Sequence, residues 1–134
     1  MKEITVDAVV ENIDTVTDFV NGILEENGAM PKAIIQMDVA IDEIFGNISH
    51  YSYSKKVGKA TVKASVDNNV VSVIFIDNGV QYNPLEKKDP DITLAAEERE
   101  IGGLGIFMVK KIMDDIQYEY KDNSNVLTLK KIIK

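Results

Sequence analysis

Two amphipathic helices are predicted in the first third of the chain. Between residues 11 and 28, apolar side chains recur at the spacing of one helix face. They are Ile13, Val16, Phe19, Val20, Ile23 and Leu24. Gly28 suits the end of this helix, and Pro31 suits the first turn of the next, which the same spacing extends to about residue 53. The alternating segment "EITVDA" ahead of both helices predicts a strand.

Two β-hairpins are predicted in the second half of the chain. Residues 59–66 alternate between apolar and polar side chains, whereas residues 70–77 are apolar at both parities, as in a strand that is crowded on both faces. Residues 67–69 between them, Asp-Asn-Asn, suit a tight turn. The segments "DIQYEY" and "NVLTLKKII" predict a second hairpin that turns at residues 122–124, Asp-Asn-Ser.

A long polar segment separates the two hairpins. It runs from residue 78 to about residue 100, and a glycine-led helix continues from there to about Met113. The element order is therefore β-α-α-β-β-loop-α-β-β. Because tight turns pair strands antiparallel, this order predicts an α+β fold, a two-layer α/β sandwich whose mostly antiparallel sheet is covered on one face by helices. We expect a single domain over residues 1–134.

Composition and charge narrow the classes of function. The chain has 134 residues, 45% hydrophobic and 28% charged, as in a soluble globular domain. It has no cysteine, which excludes disulfides, thiolate nucleophiles and cysteine metal sites. A net charge of −7 argues against nonspecific nucleic-acid binding. No apolar run reaches the length of a membrane span and the first residues lack the core of a signal peptide, so we expect a cytoplasmic protein.

Three glycines precede the third helix in the stretch "EREIGGLGIFMVKKIMDD". A helix start offers unpaired N–H groups and a partial positive charge, and glycine lets an anion approach that backbone closely. The segment Gly102-Gly103-Leu104-Gly105 therefore indicates a phosphate cradle, and the alternative is a flexible linker. No Gly-Lys-Ser/Thr follows, which excludes a P-loop. Met108 stands where a dinucleotide fingerprint needs its third glycine.

A carboxylate and an amide share one face of the second predicted helix. Glu43 and Asn47 are four positions apart and have apolar neighbours. Asn47 offers a neutral oxygen of the kind that Mg²⁺ accepts, and Glu43 can take a proton from a nucleophile. The alternative is that both belong to the solvated face of an ordinary helix.

Another carboxylate ends the most hydrophobic strand. Asp77 is followed two residues later by Gly79, and an aspartate at such a place can accept a hydrogen bond from an exocyclic amine. The alternative is a simple Asn-Gly hairpin turn. The following residues, "VQYNPLEKKDP", do not return as a strand, which weakens that alternative and leaves Asp77 beside the long polar segment.

The order of these motifs resembles the N, G1 and G2 boxes of the GHKL ATPases, which share the Bergerat nucleotide-binding fold. Helical Glu-x₃-Asn, strand-terminal Asp-x-Gly, a loop and a glycine-rich helix start follow one another over nearly the whole chain. Within that superfamily, the sequence resembles the small anti-sigma factor serine kinases of the RsbW and SpoIIAB type.

The resemblance implies a role for each motif. It makes Asn47 the ligand of Mg²⁺ and Glu43 the carboxylate that polarises the attacking hydroxyl. It makes Asp77 the acceptor of the adenine amino group, and Gly79 the residue that lets the backbone close on the base. The segment Gly102-Gly103-Leu104-Gly105 corresponds to the G2 residues around the phosphates, and residues 80–101 correspond to the ATP lid.

Two positions depart from the family pattern. Gln81 holds the place of the second glycine of Asp-x-Gly-x-Gly, and Tyr51 stands four residues after Asn47, where a basic residue or histidine is frequent. His50 is the only histidine, and no helical-hairpin phosphoacceptor domain is present. A histidine kinase that phosphorylates itself is therefore disfavoured.

The resemblance implies an ATP-dependent anti-sigma regulatory factor. Such a protein is a serine/threonine kinase that uses ATP and Mg²⁺ to phosphorylate a STAS-domain anti-sigma antagonist, and it sequesters a sigma factor. The family is commonly homodimeric. One alternative is a nucleotide-binding interaction module without kinase activity, which would not need Glu43 as a base. Another is a plain α+β scaffold.

Overall fold

A computed structural model of the chain describes residues 1–52, 57–86 and 104–134. The strands are β1 (Lys2–Asp7), β2 (Lys59–Asp67), β3 (Val70–Asp77), β4 (Asp115–Lys121) and β5 (Ser124–Ile132). The helices are α1 (Ile13–Glu26), α2 (Pro31–Asn47) and α3 (Leu104–Ile112). Short 3₁₀ turns occur at Val10–Asn12 and Pro84–Glu86. The order of strands and helices is the predicted one.

The five strands form one antiparallel sheet in the order β1-β2-β3-β5-β4. The most apolar strand, β3, lies at the centre, which explains why its apolar residues occupy both parities. The predicted α+β class and antiparallel sheet are therefore confirmed.

Both predicted hairpins form, and each has a two-residue turn. Asn68 and Asn69 have φ of 51° and 65°, and Asp122 and Asn123 have φ of 53° and 61°. Positive φ at both central residues is the geometry that matches the twist of paired strands, and asparagine and aspartate tolerate it best after glycine. The local sequence thus sets the register of β2 with β3 and of β4 with β5.

The hydrophobic core lies between the helices and one face of the sheet. The sheet contributes the alternate residues Ala60, Val62, Ala64, Val71, Val73, Phe75, Leu127 and Leu129. The helices contribute Val16, Val20, Leu24, Met37, Ile41, Ile44, Phe45, Ile106 and Val109. The residues that alternate along the strands and those that recur every three to four positions along the helices therefore pack together in one apolar layer.

The second helix ends differently from the prediction. The α-helical part stops at Asn47, and residues Ile48–Ser52 continue it as one π-helical turn. The Ser52 carbonyl accepts a hydrogen bond from the Val80 N–H at 2.8 Å. The π turn therefore joins the end of α2 to the chain just beyond β3, which is where the candidate site lies.

Candidate functional site

A small cavity lies between the C-terminal half of α2, the inner face of the sheet and the segment that follows β3. Its walls are formed by Ile44, Asn47, Ile48, Ser52, Phe75, Asp77, Tyr82, Pro84, Tyr118, Asn125 and Leu127. Its volume is about 20 Å³, which is room for a water molecule. Two of the predicted site residues, Asn47 and Asp77, line this one cavity.

Asp77 is a buried carboxylate at the end of β3. It is 3% exposed, and its Oδ1 accepts hydrogen bonds from the Gly79 N–H at 3.0 Å and from Asn125 Nδ2 at 2.9 Å. Within the described residues, Oδ2 accepts no hydrogen bond. One oxygen is thus held by the protein, while the other can accept a hydrogen bond from a ligand donor.

Asn47 presents an amide to the cavity from the last turn of α2. Its Nδ2 is buried and has no hydrogen-bond partner within the described residues. A buried polar atom without a partner is costly in a folded protein, so its presence marks a place where a ligand can satisfy it. Because no hydrogen bond holds Nδ2, the amide can also turn its oxygen toward a ligand.

Glu43 lies one helical turn before Asn47 and faces α3. A Cβ added at Gly105 would overlap the Glu43 carboxylate, so this carboxylate lies directly against the backbone at the start of α3. A helix N-terminus carries unpaired N–H groups and a partial positive charge. The structure therefore brings Gly105, predicted in the cradle, to Glu43, predicted in the N box.

Gly79, like Gly105, lies so close to a neighbouring residue that an added side chain would overlap it. A Cβ at this position would overlap the backbone carbonyl of Ser52. The predicted reason for Gly79 was closure on a bound base. The structure shows a further one, the contact of the chain after β3 with the π turn after α2.

The rest of the predicted cradle and lid is only partly described. Leu104 is the first residue of α3 and is 44% exposed. Gly102 and Gly103 lie outside the described residues, as do residues 87–101 of the predicted lid. Gln81, in place of the second glycine of the G1 pattern, is exposed.

Four polar residues of the cavity wall were not predicted: Ser52, Tyr82, Tyr118 and Asn125. Asn125 Oδ1 accepts hydrogen bonds from the Tyr118 hydroxyl at 2.5 Å and the Tyr82 N–H at 3.0 Å. Burial raises the pKa of the Tyr118 hydroxyl above its ordinary value of 10.0, and the charge of Asp77 acts in the same direction. Tyr118 therefore remains a protonated donor.

One sequence signal could have identified Asn125. It shares strand parity with Leu127 and Leu129, which are buried in the core. A polar side chain at an inward-facing position of a strand is unusual and calls for hydrogen-bond partners. Tyr82 and Tyr118 carry no comparable signal, because tyrosine is common at partly buried positions.

The Tyr82 side chain lines the cavity and packs against a second aromatic ring. Tyr51 and Tyr82 stack with ring centroids 4.9 Å apart and planes 20° apart. The Tyr82 hydroxyl is buried and has no hydrogen-bond partner within the described residues. His50 is exposed, and its ring meets the edge of Tyr51. Tyr51 therefore supports Tyr82, which lines the cavity.

The fold and the site together define a domain of the GHKL type. The family model of the histidine kinase-like ATPase domain matches residues 6–131. The chain belongs to this family, and the resemblance drawn from the sequence motifs is confirmed.

Curated relatives match almost the whole chain. The serine-protein kinases RsbW of Bacillus thuringiensis (strain Al Hakam) and of Bacillus cereus (strain 03BB102) are each 28% identical over 134 residues, which cover 97% of this chain and 84% of theirs. The match thus extends through all the motifs and is not confined to the glycine-rich stretch.

Solved structures share the fold. The RsbU and RsbW domains of a Mycobacterium tuberculosis protein superpose with a TM-score of 0.70 at 21% identity, over 98% of this chain and 31% of that chain. The histidine kinase AdeS of Acinetobacter baumannii superposes with a TM-score of 0.50 at 16% identity, over all of this chain and 68% of that chain. These likenesses concern the fold.

The residues of the site fit a nucleotide that brings its own metal ion. In the described ranges, no group of three or more histidine, cysteine, aspartate or glutamate side chains is placed to hold a metal. Mg²⁺ in such sites is bound through one or two protein oxygens together with substrate phosphates. The unpartnered amide of Asn47 and the glycine opening at residue 105 suit that arrangement. No helix in the described parts combines the length and apolarity of a membrane span.

Proposed function

We propose that this chain binds Mg·ATP at the cavity beside Asp77 and at the neighbouring start of α3, and transfers the γ-phosphoryl group to a serine or threonine of a partner protein. The observation that carries the proposal is the convergence of three separate motifs. Asn47 and Asp77 line one cavity, and Glu43, one turn from Asn47, lies against Gly105 at the start of α3. The end of α2 thus adjoins both of the other motifs, Asp77 after β3 and Gly105 at the start of α3.

Each residue has a distinct task in this proposal. Asp77 Oδ2 accepts a hydrogen bond from the 6-amino group of adenine. Asn47 turns its amide oxygen to the metal ion that accompanies the phosphates. The N–H groups at the start of α3 face the phosphate oxygens. Bound Mg²⁺ supplies positive charge that offsets the negative charge of the phosphates in the transition state.

Glu43 is the residue that distinguishes a kinase from a binding module. Its carboxylate orients the attacking hydroxyl and takes the proton of that hydroxyl. The hydroxyl oxygen bonds to the γ-phosphorus, and the bond from phosphorus to the bridging oxygen of ADP breaks. The products are a phosphorylated partner, ADP and a proton first held by Glu43.

The proposed partners follow from the kinship with the RsbW kinases. They are a STAS-domain anti-sigma antagonist, which is the phosphoryl acceptor, and a sigma factor, which is sequestered. A cytoplasmic homodimer without nucleic-acid or membrane partners remains the prediction. The net charge of −7 supports the absence of nonspecific nucleic-acid binding.

The test is phosphoryl transfer from labelled Mg·ATP to a STAS protein encoded beside this chain. We expect Glu43→Gln to keep the affinity for Mg·ATP within a few-fold and to reduce transfer at least about 100-fold, the scale of a general-base effect. Glu25→Gln, at an exposed position of α1, is the matched control and should transfer as the wild type does. Transfer at the wild-type rate by Glu43→Gln would remove this residue from the mechanism. Wild-type binding without transfer would favour the interaction module.

A further inference from the structure

Asn125 is a buried amide on the inner face of β5. It is 4% exposed, and its neighbours on the same face, Leu127 and Leu129, belong to the core. In the register of the sheet it lies opposite Asp77. A polar side chain at such a position is costly unless it is fully hydrogen-bonded.

Every hydrogen-bonding position of this amide is used. Nδ2 donates to Asp77 Oδ1 at 2.9 Å and to the Val80 carbonyl at 2.9 Å. Oδ1 accepts from the Tyr82 N–H at 3.0 Å and from the Tyr118 hydroxyl at 2.5 Å. An asparagine amide has two donor and two acceptor positions, so none is left for a ligand. The partners also fix its orientation, because Nδ2 faces two acceptors and Oδ1 faces two donors.

The hydrogen bond from Asn125 helps to fix the orientation of the Asp77 carboxylate. With Oδ1 held by Asn125 Nδ2 and by the Gly79 N–H, the carboxylate cannot rotate without losing two hydrogen bonds. Oδ2 is therefore the oxygen that Asp77 offers to a ligand, and it is an acceptor only. A purine with an amino group at position 6 can donate to it. A purine with a 6-oxo group places one acceptor against another.

We propose that Asn125 is a positioning residue that sets the base selectivity of the site by locking the Asp77 carboxylate. This inference rests on the proposed nucleotide binding. The same amide also holds Val80 and Tyr82, so the segment leaving β3 and the base acceptor are fixed by one side chain. Loss of the amide frees the carboxylate to rotate and to take up water, and the preference for a 6-amino purine declines.

The first experiment compares Mg·ATP with magnesium inosine triphosphate, whose base carries a 6-oxo group. The measured quantity is the ratio of their dissociation constants in the wild type and in Asn125→Ala. We expect the wild type to prefer Mg·ATP by at least about 100-fold, and Asn125→Ala to lower that ratio at least about tenfold. Thr128→Ala, on the opposite face of the same strand, is the matched control and should keep the wild-type ratio.

The second experiment uses Asn125→Asp, which keeps the shape of the side chain. Its new oxygen would face Asp77 Oδ1 and the Val80 carbonyl, which are both acceptors. The titratable groups that face position 125 in the described residues are Asp77, Tyr82 and Tyr118. Two adjacent carboxylates bind a shared proton and repel each other without it. The affinity of this variant for Mg·ATP, relative to the wild type at each pH, should fall at least about tenfold between about pH 6 and about pH 8.

The outcomes separate the two proposals. If the wild type binds no adenine nucleotide, the proposed function fails and this inference fails with it. If the wild type prefers Mg·ATP but folded Asn125→Ala keeps the same ratio, only the role of Asn125 is overturned. If Asn125→Ala does not fold, Asn125→Asp decides, because a purely structural role predicts weaker binding by the same factor at every pH.

Discussion

The glycines show most clearly how single residues shape the site. Gly79 and Gly105 both lie where a Cβ would overlap a neighbour, but the neighbours differ in kind. At Gly79 the neighbour is the backbone of Ser52, which cannot move without disturbing the π turn. At Gly105 it is the end of the Glu43 side chain, which can rotate away. The contact at Gly79 therefore affects the stability of the fold, and the contact at Gly105 affects the proposed phosphoryl transfer.

This difference predicts that alanine at position 79 lowers the stability of the fold, whereas alanine at position 105 impairs phosphoryl transfer. Gly79→Ala should lower the free energy of unfolding by about 1–3 kcal/mol, the usual cost of overpacking. Gly105→Ala should change it by less than about 1 kcal/mol, because alanine favours the helix, but should impair phosphoryl transfer by displacing Glu43. Urea unfolding and the transfer assay check the pair.

Gly22→Ala supplies the control. Nothing in the described residues lies within 4 Å of a Cβ at this position in α1, so the substitution should raise the free energy of unfolding by about 0.5–1 kcal/mol. The account of the two site glycines would be wrong if Gly79→Ala proved as stable as the wild type, or if Gly105→Ala transferred phosphate at the wild-type rate.

At the scale of elements, the contact of α1 with α2 contains an unfavourable charge. Asp38 Oδ1 is buried without a hydrogen-bond partner in the described residues. Burial raises the pKa of Asp38 above 3.8 and the charge of Asp18 raises it further, while a hydrogen bond from Asn21 lowers it. The folded state therefore binds the Asp38 proton more tightly than the unfolded state does. The stability linked to this proton is fully present below pH 3.8 and is lost as the pH rises through the raised value.

Asp38→Asn should remove this effect. At pH 7 the variant should be more stable than the wild type, by about 0.5 kcal/mol. The difference should shrink as the pH falls and should be smallest below 3.8, where the wild-type side chain becomes protonated in both states. Thermal unfolding at the two pH values measures it, with Asp42→Asn at an exposed position of α2 as the control. A difference that grew on acidification would contradict the sign of this linkage.

The elements also show what a sequence can and cannot predict. The two hairpins follow from local residues, since asparagine and aspartate at 68–69 and 122–123 tolerate the positive φ that the turns need. The π turn after Asn47 was not predicted, because it depends on the contact of Ser52 with Gly79 and Val80, which are distant in sequence. Motif order predicted Asn47 and Asp77 as site residues, and the structure places both on one cavity. The polar network around Asn125 required the register of β3 with β5.

For the molecule as a whole, the cavity volume implies a change of shape on binding. The cavity has a volume of about 20 Å³, so we expect the segment that contains Tyr82 and Pro84 to move outward when a purine binds. We call the arrangement in this structure, with Tyr82 stacked on Tyr51, the closed form. The stack stabilises it, whereas the buried Tyr82 hydroxyl, which has no hydrogen-bond partner within the described chain, destabilises it. The closed form therefore includes an unfavourable buried hydroxyl next to the site.

Two tyrosine substitutions test the closed form. Tyr82→Phe removes a buried hydroxyl without a described partner, so it should raise the free energy of unfolding of the nucleotide-free protein by about 1 kcal/mol. Tyr118→Phe removes the hydroxyl that donates to Asn125 and should lower it by about 1 kcal/mol. Chemical denaturation without nucleotide measures both. If both substitutions changed the free energy of unfolding equally, the Tyr82 hydroxyl would not occupy the buried position of the closed form.

The central claim, that Mg·ATP binds among Asn47, Asp77 and Gly105, is tested most directly by calorimetric titration at two temperatures, with and without magnesium. We predict one nucleotide per chain for the wild type. We predict binding by Asn47→Ala that is at least about tenfold weaker than the wild type with magnesium, and equal to it when a chelator removes the metal. The absence of heat at both temperatures for the wild type, or an unchanged affinity of Asn47→Ala in the presence of magnesium, would contradict the account.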